Sequence, residues 1–237
     1  MGFWSSVSSF CSSVGSAISS VVSGIGSELS SFAKGIGTVI GGVVEALAPV
    51  AKGIANFANA FLQGLGILKS NESVEDMGNK ALQAADEGIT MDQFDDFNSY
   101  MNALRDFEPD PEKSRNYSPN TKLVAGLGLG SKGVEEKFNA EPGSLDAIWL
   151  LPMANPEYFT PERMQELVSA GRLGSDTFDY LEKRLTGGES RTFEKNLEMD
   201  KSGNVMDTGQ RGELYDALEN AQDNWSDMMD KIDGSKQ

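Results

Sequence analysis

Gly126-Leu127-Gly128-Leu129-Gly130-Ser131-Lys132 comes nearest to a chemical motif in this 237-residue chain. A glycine-rich loop leading into a helix can cradle phosphate with its backbone amides. Here the first glycine is misplaced for GxxxxGK[ST], Ser precedes Lys, and no strand leads into the stretch, which reads as a flexible hinge. Asp200-Lys201-Ser202-Gly203-Asn204 places oxygens at positions one, three and five of a calcium loop. Its glycine falls at four rather than six, and Arg211 stands where the bidentate Glu belongs, so a polar turn is expected. The carboxylate pairs Asp95-Asp96 and Glu135-Glu136 have no acid/base context and read as solvated surface. The sequons at Asn71, Asn116 and Asn224 carry meaning only on a secreted chain, and no positive n-region of a signal peptide is present.

Composition narrows the chemistry further. There is no histidine, which removes Ser-His-Asp and Cys-His nucleophile systems, HExxH zinc sites and imidazole proton shuttles. Cys11 is the single cysteine, which excludes an internal disulfide and any CxxC metal knuckle. The expectation is therefore a protein that is not an enzyme, with no catalytic residues, no metal, no cofactor and no small-molecule substrate. A net charge of −16 repels the phosphate backbone and argues against sequence-specific nucleic-acid binding.

The charge is not spread evenly. Residues 1–70 hold Lys34, Lys52 and Lys69 against Glu28 and Glu45, leaving 17 basic and 34 acidic side chains for residues 71–237. The first segment is Ser, Gly, Ala and Val with scattered Phe, and the shift after Ser70 marks two different physical roles.

Written in elevens from Ser5, the first segment repeats. The third place holds Val7, Ile18, Leu29, Ile40, Ala51 and Leu62; the sixth holds Phe10, Val21, Phe32, Val43, Ile54 and Leu65. The seventh is Cys11, Val22, Ala33, Val44, Ala55 and Gly66, and the tenth is Val14, Ile25, Ile36, Leu47, Ala58 and Lys69. Apolar residues at these places line one face of a helix, because eleven residues in three turns is about 3.67 per turn. The expected face is Phe3, Trp4, Val7, Phe10, Val14, Ile18, Val21, Ile25, Leu29, Phe32, Ile36, Ile40, Val43, Leu47, Ile54, Phe61 and Leu65. Pro49 is the expected hinge, dividing a helix over Phe3–Leu47 from one over Val50–Leu68.

Intrinsic propensity opposes this helix. Fourteen serines and eleven glycines in seventy residues weaken it in water, glycine by about 1 kcal/mol each. Some apolar surface must cover the stripe before the helix forms. Three covers are open: a membrane interface anchored by Phe3 and Trp4, other copies in a bundle or tube, or the second segment of the same chain. Met1-Gly2 with Ser6 also fits the short N-myristoylation pattern.

The acidic segment reads as helical throughout. Ser73–Ala85 is a short helix stopped by Gly88, and Thr90 is a candidate N-cap for Met91–Phe107. Glu108–Pro111 and Asn116–Pro119 are turn chemistry, and Ser144–Leu151 is an apolar stretch around Trp149. Thr160-Pro161 starts a helix running to Gly171, Ser175–Leu185 follows and closes at Gly187-Gly188, and a last helix covers about Glu213–Ile232. The fold class expected is all-α: a long amphipathic repeat helix kinked near Pro49, followed by a small, loosely packed acidic helical region. The divisions are 1–70 for the repeat, 71–120 for a helical hairpin and linker, and 121–237 for the acidic region.

As a pattern, the Gly/Ala/Ser-rich apolar repeat of residues 1–70 resembles the internal, ejection or pilot proteins of bacteriophages. The resemblance implies a structural virion protein whose N-terminal helices assemble or insert in the host-cell membrane on delivery, forming a conduit for the genome. It implies a homo-oligomer, other virion proteins and a membrane as partners, and transfers no individual residue. The alternative function is a secreted pore-forming antibacterial effector acting on membranes.

Overall fold

The computed structural model describes residues 16–198 and 204–234. It is all-helical, with no strand among the described residues. Among the described residues the repeat begins with helix α1 (residues 16–23) and a 3-10 turn, Ser27–Leu29. Then come α2 (Ser30–Lys34), α3 (Ile36–Ala46) and α4 (Ala48–Gly64). The acidic part contributes α5 (Val74–Asp86), α6 (Phe97–Asp106), α7 (Pro111–Ser114), α8 (Pro119–Phe138) and α9 (Leu150–Ala154). It ends with α10 (Pro161–Ser169), α11 (Thr177–Leu181), α12 (Gly187–Leu197) and α13 (Thr208–Gly234).

The uninterrupted helix expected up to Leu47 is instead bent at two earlier places. Gly26 is extended (φ 173°, ψ 153°), and Gly35 ends α2 in a conformation (φ −103°, ψ −110°) that no helix continues. The break at Gly26 is held from a distance. Met91 donates its backbone N–H to the Ile25 carbonyl at 3.0 Å, and the Asp92 carboxylate accepts from the Ser27 N–H and, at 2.6 Å, from its hydroxyl. A helix of serine and glycine is weak enough for such ties to win. The third break falls at Leu47 (φ −126°, ψ 82°), with Pro49 in the first turn of α4, where its missing N–H costs nothing.

α8 is the centre of the molecule, and its glycines are the reason it can be. The expected hinge over Gly126–Lys132 lies in the interior of this 20-residue helix. Its backbone amides are engaged within the helix, so they offer no phosphate cradle. α5 crosses α8 at backbone contact. A Cβ on Gly126 would stand 1.9 Å from the Val74 carbonyl oxygen, and one on Gly78 would stand 2.0 Å from that of Lys122. On other faces Gly128 receives the Phe32 ring and Gly130 the Trp149 ring. A helix surrounded by neighbours must be apolar or small all round, and α8 carries Leu123, Val124, Leu127, Leu129 and Val134 among and around these glycines, all buried.

Thr90 is extended but does not cap a long helix. The chain makes a 3-10 turn at Met91–Gln93, and Asp96 caps α6 by accepting from the Ser99 N–H. Gly187-Gly188, expected to close a helix, opens α12 behind a Thr186/Glu189 capping box. One hydrophobic cluster runs from Ile18 to Ile232 and includes residues on both sides of Ser70. Trp149, Trp225 and Phe159 lie at its heart in the acidic part.

Candidate functional site: the covered apolar stripe

Each described residue of the expected face lies in the core or packs on it. Ile18, Ile25, Leu29, Phe32, Ile40, Val43, Ile54, Phe61 and Leu65 are buried, and Val21, Ile36 and Leu47 are partly buried against the same cluster. Phe3, Trp4, Val7, Phe10 and Val14 lie outside the described residues. The cover is the chain's own second segment. α3 and α4 pack against α8, and α4 also packs against α9 and α10. Phe61 meets Trp149 edge-on with ring centroids 5.8 Å apart and stacks on Phe57 at 5.6 Å. The Trp149 indole N–H is satisfied inside the core by the Ser131 hydroxyl at 2.8 Å.

Polar ties stitch the seam. Lys132 of α8 reaches Glu28 at 2.8 Å and Glu136 at 3.3 Å. Asn120 donates to Glu45 at 2.7 Å, and the Asn59 side-chain oxygen accepts from the Val74 N–H at 2.7 Å. Gln165 donates to the Phe61 carbonyl at 3.2 Å. Asp92, held by the Ser27 hydroxyl and N–H, stays ionised to lower pH than an ordinary aspartate.

A second pair of carboxylates escaped the sequence reading. Glu135 is 4 % exposed, and its Oε1 accepts the Leu145 N–H at 3.2 Å. Asp146 opens the 3-10 turn Asp146–Trp149 beside it. Burial, and then the charge of Glu135, push the Asp146 carboxyl up to about 7. Burial also raises Glu135, against the opposing pull of the Leu145 and Gly143 amides and of Lys132. Glu135 does not lie on solvated surface with Glu136, as the sequence pair suggests: the buried face of α8 takes one and leaves the other half-exposed. No sequence pattern links positions 135 and 146; the chain turns back through Gly143 (φ +80°) and brings the Leu145 N–H to Glu135.

Elsewhere the chemistry is sparse. A cavity of about 390 Å³ between α10 and the start of α13 has Glu162, Glu166 and Arg163 among its lining. The Arg163 guanidinium lies 3.9 Å over the Tyr158 ring, an arrangement of packing rather than proton transfer. Among the described residues no group of three or more acidic or thiol side chains converges to hold a metal. The calcium-like loop falls mostly outside the described residues. No described helix is long and apolar enough to cross a membrane. No protein-family model, curated protein or solved structure matches this chain.

Proposed function

We propose that this chain is a non-enzymatic bacteriophage virion protein of the ejection type, held in a closed form until its apolar repeat leaves the core for the host membrane. The supporting observation is phase. Short helices joined at sharp bends need a stripe within each piece, but no common phase from one piece to the next. Yet the places three, six, seven and ten stay in step across Gly26, Gly35 and Leu47. Only a continuous helix uses that coherence, and such a helix needs a different cover from the bent one. Membrane or neighbouring copies would provide it on delivery, with other virion proteins as partners beforehand.

A disulfide across the seam tests this in the full chain. An ideal Cβ on Gly26 stands 3.0 Å from the Met91 Cβ, so a Gly26→Cys/Met91→Cys pair in a Cys11→Ser background needs a shift of about half an ångström to bond. The expected outcome is leakage of phosphatidylglycerol vesicles by the reduced protein and little by the oxidised one. Equal leakage in both states, or none in either, rejects the reading.

The closed form also suits a secreted antibacterial pore-former, because a chain crossing water alone must keep its apolar helices covered. Depolarisation of intact cells by added protein would favour that alternative. Recovery of the chain from purified virions would favour the first.

A further inference from the structure

The cavity between α10 and the start of α13 stands apart from the covered stripe. Its volume is about 390 Å³ and its floor is apolar, with Phe159, Leu167, Leu197 and Leu214 all buried there. Val205 lines the same cavity with 61 % of its surface exposed. Hydrogen bonds on the C-terminal side fix the backbone that presents it. Met206 donates its N–H to the Glu198 carbonyl at 2.8 Å, and Asp207 and Gln210 bond reciprocally, at 2.9 and 3.1 Å, where α13 begins. Tyr215, the other large apolar side chain exposed among the described residues, is tied to the same Glu198 by its hydroxyl at 2.5 Å. A large apolar side chain held exposed beside an apolar recess marks a contact surface.

The mouth of the recess is acidic. Glu162 and Glu166 lie one turn apart on α10, both exposed, and among the described residues neither takes part in an ion pair. Like charges at that spacing repel, and a Lys or Arg placed between them relieves the repulsion. Arg163, the one cation of the lining, lies 3.9 Å over the Tyr158 ring. An anionic lipid surface would meet like charge here. So would a second copy of this chain, with its net −16 and no Lys or Arg in residues 1–33.

We propose that this cleft docks a basic amphipathic segment of a different protein, which seats a large apolar side chain on the floor and sets Lys or Arg against Glu162 and Glu166. The apolar anchor supplies affinity, and the charges at the mouth fix orientation and reject acidic competitors. This names the chemistry of a partner that the reading above leaves general, and it holds whether or not the repeat leaves the core.

Fluorescence anisotropy of the full chain with a labelled peptide of Lys, Ala, Leu and one Phe, patterned as an amphipathic helix, tests the cleft. A scrambled peptide of the same composition is the control. The patterned peptide should bind about tenfold tighter, because it alone presents anchor and cations together. Glu162→Gln/Glu166→Gln should weaken it about fivefold and Val205→Ser about threefold. Asp227→Asn/Asp230→Asn removes the same charge from exposed positions far along α13 and should leave binding within about twofold. Equal binding of the two peptides, or an equal loss from the two charge pairs, overturns the proposal, since attraction to net charge explains both. So does hydrogen-exchange protection by the peptide that falls outside α10 and residues 204–214. The oxidised Gly26→Cys/Met91→Cys chain should bind the patterned peptide as the reduced chain does, and binding by the reduced chain alone overturns the cleft as the site. A chain that binds at the cleft yet leaks no phosphatidylglycerol vesicles supports the docking site and rejects the membrane function.

Discussion

Trp149 and Glu72 show how single polar contacts carry weight in a core this crowded. Ser131 is the sole partner of the buried Trp149 indole N–H, so Ser131→Ala leaves a donor unsatisfied. A loss of about 1–3 kcal/mol is expected in urea unfolding, with Trp149→Phe/Ser131→Ala recovering part of it. Glu72 is tied to Arg105 at 2.8 Å, and Arg105 also donates to the Ile67 carbonyl, which pins the turn between α4 and α5. Burial acts to raise the Glu72 carboxyl, but Arg105 and the Lys69 amide outweigh it and the net shift is downward. A depressed acid stabilises the fold above its unfolded pKa, and that contribution fades as pH falls through its folded value. Glu72→Gln should therefore cost about 2 kcal/mol at pH 7, with the difference from wild type closing below about pH 4.

Helix α8 sets the next scale. Four of its glycines lie at positions 126, 128, 130 and 133, where propensity alone suggests a breaker. Tertiary packing overrides that preference: the α5 backbone leaves no room for a Cβ at Gly126, and the Phe32, Trp149 and Phe97 rings crowd Gly128, Gly130 and Gly133. Gly126→Ala and Gly78→Ala should each lower stability by about 3 kcal/mol or more, since the clash is with backbone carbonyls that cannot turn away. Gly53 is the control: it lies in α4 with nothing within 4 Å of an added Cβ, so Gly53→Ala should raise stability by about 0.5–1 kcal/mol. Thermal unfolding of the three variants tests both signs. The same contrast explains what the sequence made legible. Ser73 and Thr160 announce α5 and α10 through local caps, as the structure has them. α8 has the same kind of local start, Ser118-Pro119, but the glycines of its interior conceal it, and Gly187-Gly188 misleads because glycine also starts helices behind a good cap. The stripe residues were legible from period alone. Their cover was not, because it depends on contacts such as Phe32 on Gly128, nearly a hundred residues apart.

For the whole molecule, the charge division at Ser70 and the core division do not coincide. The cluster joins Ile40 and Phe61 to Trp149 and Trp225 without interruption. Unfolding should accordingly be a single transition at pH 6, seen alike by far-ultraviolet dichroism and by tryptophan fluorescence. Two separated transitions would mean that the repeat and the acidic segment fold apart. Salt should raise the midpoint at neutral pH, because an excess of 16 negative charges repels itself.

Periodicity brings a hazard of its own. A chain that repeats every eleven residues can slide by eleven and present the same apolar face to the same cover. Such a slip would set Val39 opposite Lys132 in place of Glu28, and Asn56 opposite Asn120 in place of Glu45. Thr38 would take the place of Ser27 before Asp92. Over Ile18–Ile36 such a slip exchanges one apolar side chain for another, so these residues hold the repeat down but mark its position only by size, whereas at its end Glu72 would fall on Trp149 in place of Phe61. A few sparse polar residues that break the translational symmetry give the molecule one alignment instead of several.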